Sequence, residues 1–191
     1  MTQASQLDVL TSVIYQFEYH WKEQIRPRLE GLTDAEYLYD PSADRSAWTV
    51  HPADERRTEM QAGARDTVVD FAFPEPDPAP FTTIGWRLAH VIVGVLAVRS
   101  HAHLGGPEAS YQSWDYSPTA EGALEQLDAE VARWFDGIRK FDDARLAQPC
   151  GPDEGPWGEL PMLDLLLHIN RELIHHLAEI ALLRDLYAHT R

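Results

Sequence analysis

Residues 161–187 read PMLDLLLHINRELIHHLAEIALLRDLY. Projected at about 100° per residue, they place Leu163, Leu166, Ile169, Leu173, Ile174, Leu177, Ile180 and Ala181 in one broad apolar arc, the pattern of a helix packed on a core. Pro161 suits the first turn, where its missing N–H would have no intrahelical partner. The spacing predicts a helix from about Pro161 to Ala188. Within it, His168, Glu172 and His176 form a four-residue ladder, with His175 turned about 100° from His176. Glu172 and His176 fall at the edge of the apolar arc, whereas His168 and His175 lie further round on the polar side.

Three more segments carry helical periodicity. The first runs from about Ser5 to Leu29, with Leu7, Leu10, Ile14, Phe17 and Trp21 at three- and four-residue spacing. Pro27 and Gly31 mark its end. The second, FTTIGWRLAHVIVGVLAVRSHAHLGG (81–106), has Thr82 or Thr83 as N-cap, Gly105-Gly106 as its stop, and is apolar over most of its surface. A third follows Ser117 or Thr119, with Leu124, Leu127, Val131, Trp134, Phe135 and Ile138 on one face. The expected fold is all-α, an antiparallel four-helix bundle with a long crossover between the first and second helices. That crossover, residues 31 to 80, holds WTVHP, the charged ADERRTEM and the proline-dense FPEPDPAPF, and is left without assigned structure, although DTVVDFAF (66–73) has the composition of a short strand.

The 191 residues fit one domain, 1–191, large enough for a real core. Asp and Glu outnumber Lys and Arg by 31 to 16, and the formal charge of −15 repels nucleic acid and anionic lipid. The N-terminus lacks the pattern of a signal peptide, and no stretch approaches the roughly 18 apolar residues of a membrane span, so a cytoplasmic protein is expected. Cys150, the only cysteine, excludes an intrachain disulfide; in AQPCGPDEGPWG (147–158) it reads as a bystander loop thiol. There is no dinucleotide fingerprint, Walker loop, nucleophile elbow or HExxH.

A carboxylate and an imidazole one helical turn apart can grip one cation, because their Cβ atoms are about 6 Å apart. Glu172 and His176 are that pair, and His90 in RLAHVIVG is the third donor that a second core-facing helix offers. His101 and His103 lie about three turns further on, too far to share its ion on a straight helix. Two histidines and a carboxylate with open positions suit catalytic zinc, nickel or ferrous iron. The same residues also make an ordinary helix ion pair and a hydrogen-bonded core histidine.

Taken together, GWRLAHVIVG (85–94), LLHINRELIHHLAEIALLRDLY (166–187), GLTDAEYLYDP (31–41) and WTVHP (48–52) resemble the DinB-like superfamily of four-helix bundles. That superfamily includes YfiT-type metal-dependent hydrolases and mycothiol-dependent maleylpyruvate isomerases. The resemblance covers nearly the whole chain and implies a divalent metal on His90, Glu172 and His176. The glutamate-bearing version is closer to the mycothiol-dependent branch. It implies a transferase or isomerase that activates a low-molecular-weight thiol, such as mycothiol, against a small electrophile, since a bound cation stabilises thiolate over thiol. A hydrolase with water as nucleophile and a non-catalytic bundle are the alternatives.

Arg87 and Arg184 are candidates to hold a carboxylate of the thiol cofactor. Either also reads as a surface or helix-end arginine, and Arg184, projecting toward the apolar arc, should have a buried partner or lie beyond the end of the core. Glu179 and His175 are candidates to orient the ligands. Trp48, Trp86, Trp114, Trp134 and Trp157 read as packing or as pocket walls. The expected partner is a small molecule, and homodimerisation is compatible with such a bundle.

Overall fold

The computed structural model describes residues 8–74 and 76–190. Ser5 and Leu7, at the predicted start of the first helix, lie outside them. Helix α1 (Val9–Tyr19) begins at Asp8, whose carboxylate accepts from Thr11 N at 2.8 Å. It widens into a π-helical turn (His20–Ile25) and tightens into 3-10 winding (Arg26–Leu29), where Pro27 supplies no N–H. A short helix α2 (Asp34–Tyr37) follows, closed by a capping box between Thr33 and Glu36.

The expectation of an all-α chain is corrected in the crossover. Strands β1 (Val50–Pro52), β2 (Met60–Ala62) and β3 (Thr67–Phe71) form an antiparallel sheet of order β1-β3-β2. Val50 pairs with Val69, and Met60 with Phe71. Four consecutive buried residues, Thr67 to Asp70, identify β3 as the strand covered on both faces. Asp70 is held by Thr49 N at 2.9 Å and by Arg57 and His51, each at 3.3 Å. Burying a carboxylate is tolerable only with such partners. Its backbone carbonyl accepts from Trp86 Nε1 at 2.9 Å, which ties the sheet to the next helix.

That helix starts as α3 (Ile84–Ala89), passes through a π-helical segment (His90–Ala97) and ends as α4 (Val98–Leu104). Gly105, at φ 68°, terminates it in the left-handed conformation that glycine takes without strain. Thr83 caps it, accepting from Trp86 N at 3.3 Å while donating to Thr49 Oγ1 at 2.9 Å. Thr83→Ala is expected to cost about 1–2 kcal/mol in urea unfolding, because both bonds are lost at a buried position.

Helix α5 (Ala120–Ile138), capped by Thr119, buries Leu127, Trp134 and Ile138, and Phe135 stacks on Phe17 with centroids 5.1 Å apart. The short α6 (Asp143–Ala147) and a 3-10 turn (Pro152–Trp157) lead to α7 (Met162–Thr190). The π segment packs against both α5 and α7, and α7 against α1, where Asn170 Nδ2 donates to Val13 O at 2.8 Å. Among the described residues no helix is long and apolar enough to cross a membrane.

Candidate metal centre

His90 begins the π segment, and Glu172 and His176 lie one turn apart on α7 where the two helices pack. The three side chains converge, with one donor atom from each within 4.8 Å of the others. The His90 and His176 rings meet edge to face, centroids 4.6 Å apart. His176 is buried, while His90 and Glu172 are half-buried. π turns are rare and concentrate at functional sites, and this one carries the ligand candidate.

The outer nitrogen of each ring decides what the inner one can do. His176 Nδ1 lies 2.8 Å from Glu179 Oε2. A carboxylate only accepts, so Nδ1 carries a proton and donates. Arg87 Nη1 is 2.9 Å from the same oxygen and 3.3 Å from Nδ1; with both nitrogens donors, Glu179 is the acceptor for each. His176 Nε2 is left 3.3 Å from Glu172 Oε2. These two atoms face each other closely enough for one cation to be shared between them. On His90, Nδ1 meets the Tyr111 hydroxyl at 2.7 Å, leaving Nε2 as the nitrogen free to bind an ion. The donor set therefore fits a divalent metal: two neutral imidazoles and one carboxylate, each ring fixed by a second partner.

A second group, His175, His176 and Glu179, also lies within ligating distance. Arg87 already places its positive charge on Glu179, and His175 is exposed, so the first group is the stronger candidate.

Burial, followed by the charges of His176 and Arg87, pushes His90 down from 6.5 to about 4, so it is neutral at pH 7, the form that ligates metal. The unfolded chain binds more protons between these two values. Metal-free protein is therefore expected to lose stability as pH falls from 6.5 toward 4, with the loss complete below the folded value. Urea midpoints across that range check this, and the slope should shrink in His90→Asn.

Trp86 stacks on His90 with centroids 5.7 Å apart and planes 9° from parallel. The sheet thus reaches the site through Asp70 and Trp86. Tyr111, from the connection between α4 and α5, sits over Gly94: a Cβ at Gly94 would overlap its hydroxyl and come within 3.1 Å of His90 Nδ1. Tyr111 lies in no periodic segment, so residue spacing does not reveal it. Gly94, inside HVIVGVLA, is the one signal the sequence offers.

Arg87 is brought to the histidine pair. Arg184 is not: it binds Glu36 through Nε at 3.0 Å and Nη2 at 3.3 Å, and reaches the carbonyls of Arg28 and Glu30. It joins α7 to the turn before α2, with Glu36 as its buried partner. His103 pairs with Glu154 at 2.8 Å and His101 with Gly106 O at 3.1 Å, both away from His90. Cys150 is buried, its thiol donating to Pro161 O at 3.5 Å and pushed up by burial and by Glu154. Trp134 is core, Trp48 packs beside Trp86, Trp114 bonds Gln126, and Trp157 is exposed.

Fold and site together define a mostly helical protein with a histidine–glutamate group suited to a metal ion. The family model of the DinB superfamily matches residues 16–180, and the chain belongs to that superfamily. No curated protein and no solved structure matches the chain.

Proposed function

We propose that the protein binds one divalent cation, zinc first and nickel or ferrous iron next, through His90, Glu172 and His176. With it the protein would activate an exogenous low-molecular-weight thiol, such as mycothiol, for transfer to, or isomerisation of, a small electrophile. The observation that carries this reading is the convergence of two imidazoles and a carboxylate whose outer atoms are already engaged by Tyr111 and Glu179. A bound cation would supply the charge that favours thiolate over thiol. The chain's own part is to hold the three donors in place, with Trp86 against His90 and Arg87 on Glu179 limiting water and movement. Cys150 is buried with a raised thiol, which supports a nucleophile from outside the chain.

This reading takes the long helical segments as a four-helix bundle in a cytoplasmic protein that acts on a small molecule, as a monomer or homodimer, without nucleic acid or membrane. The test is zinc-loaded protein with an activated aryl chloride, with and without added thiol. Consumption that needs both thiol and His176 supports the proposal. Consumption without thiol favours a hydrolase, and none under either condition a non-catalytic bundle.

A further inference from the structure

Beside the candidate metal centre lies an open cleft of about 520 Å³ between the start of α7, the 3-10 turn and α4, a size suited to a small ligand. Its outer wall is apolar and unusually exposed: Trp157 is 65%, Leu160 42% and Leu167 48% accessible. Its other end carries two arginines, the exposed Arg171 and the half-buried Arg99, each with a carboxylate beside it. Arg171 approaches His168 Nδ1 at 2.6 Å and Glu172 Oε1 at 3.7 Å, so it borders the metal-ligand candidates. Arg99 donates to Gly94 O and pairs with the cleft-lining Glu154 at 3.5 Å, and its buried Nε has no hydrogen-bond partner among the described residues. Five N–H donors on each guanidinium exceed the acceptors they meet here. Asp164 stands at the opposite end, seven residues before Arg171 on the same face of α7, about 10 Å away by helical rise.

We propose that this cleft binds a small organic monocarboxylate with an apolar body, its carboxylate directed to Arg171 and Arg99. The apolar wall takes the body and the paired donors of arginine take the planar acid group. Asp164 sets the direction and excludes a second carboxylate at the outer end. The long-range field of a chain with charge −15 repels anions, so affinity for an acid depends on the unfilled N–H donors of these two arginines. The proposal names a substrate class for the metal-dependent reading and rests on that reading only for the chemistry that follows binding.

The experiment is an NMR titration of the protein as purified with 3-phenylpropionate, 3-phenylpropanol, 3-phenylpropylamine and the linear diacid nonanedioate. The monoacid is expected to bind at least about fivefold more tightly than the alcohol or amine, an advantage lost in Arg171→Gln. The diacid should bind more weakly than the monoacid, and the gap should narrow in Asp164→Asn. Glu172→Ala, which dismantles the candidate metal centre, should keep the acid preference, so failure of the metal reading leaves this result standing. Equal binding of acid, alcohol and amine overturns the proposal. So does an acid preference that survives Arg171→Gln but vanishes in Glu172→Ala, because that places the carboxylate at the metal-ligand residues instead.

Discussion

Replacing His176 by alanine is expected to remove high-affinity metal binding while leaving the chain folded. His176 is the residue through which both partner networks meet: Nε2 faces Glu172 at 3.3 Å and Nδ1 donates to Glu179 at 2.8 Å. Loss of an outer partner alone typically costs a metal site about 10–100-fold in affinity, and loss of the ligand itself should cost more. The fold should survive, since alanine is the best helix former and Arg87 keeps its 2.9 Å pair with Glu179. Thermal unfolding with added zinc separates the effects. Wild type should gain about 2.7 kcal/mol at a hundredfold excess over its Kd, and the variant almost nothing at the same concentration. An equal gain in both would mean that zinc binds elsewhere.

The second large effect is expected at Gly94. In an ordinary helix interior, glycine to alanine stabilises by about 1 kcal/mol. Here the added methyl would overlap the Tyr111 hydroxyl and crowd His90 Nδ1 at 3.1 Å. The sign therefore reverses, with an expected loss of about 1–3 kcal/mol from overpacking. Metal affinity should fall as well, by roughly 10–100-fold, because Tyr111 can no longer hold the His90 ring at 2.7 Å. Tyr111→Phe separates the two causes: it removes the hydroxyl without the clash, so affinity drops while stability changes little. The double variant should recover part of the stability lost in Gly94→Ala, because the two residues share one contact and their effects do not add. Denaturant unfolding and zinc titration of the three variants check both points, and a Gly94→Ala protein as stable and as tight-binding as wild type would contradict them.

Local chemistry was legible in the sequence. Thr83 and Thr119 cap helices and Gly105 ends one as their residue types require. The helical projection put Glu172 and His176 at the edge of the apolar arc, where they are half-buried and buried, with His175 outward, although Ile174, placed within the arc, is exposed. Interactions without a local signature were not legible. The sheet depends on pairing Val50 with Val69 and Met60 with Phe71 across turns that carry no hairpin dipeptide. The π winding from His90 to Ala97 breaks the uniform 100° rotation on which projection rests, so residues beyond His90 do not fall where an ideal helix puts them. Tyr111 reaches His90 from 21 positions away. Arg184 projected toward the core correctly, but its partner, Glu36, lies 148 residues off and makes the contact an inter-helix tie.

The central claim is that His90, Glu172 and His176 hold a metal ion, and elemental analysis of untagged protein purified without chelator tests it most directly. About one zinc, nickel or iron per chain is expected in wild type, falling to near zero in Glu172→Ala. Less than about a tenth of an equivalent in wild type, even after reconstitution with each ion, would contradict the claim and leave the three side chains as an ion-paired helix contact.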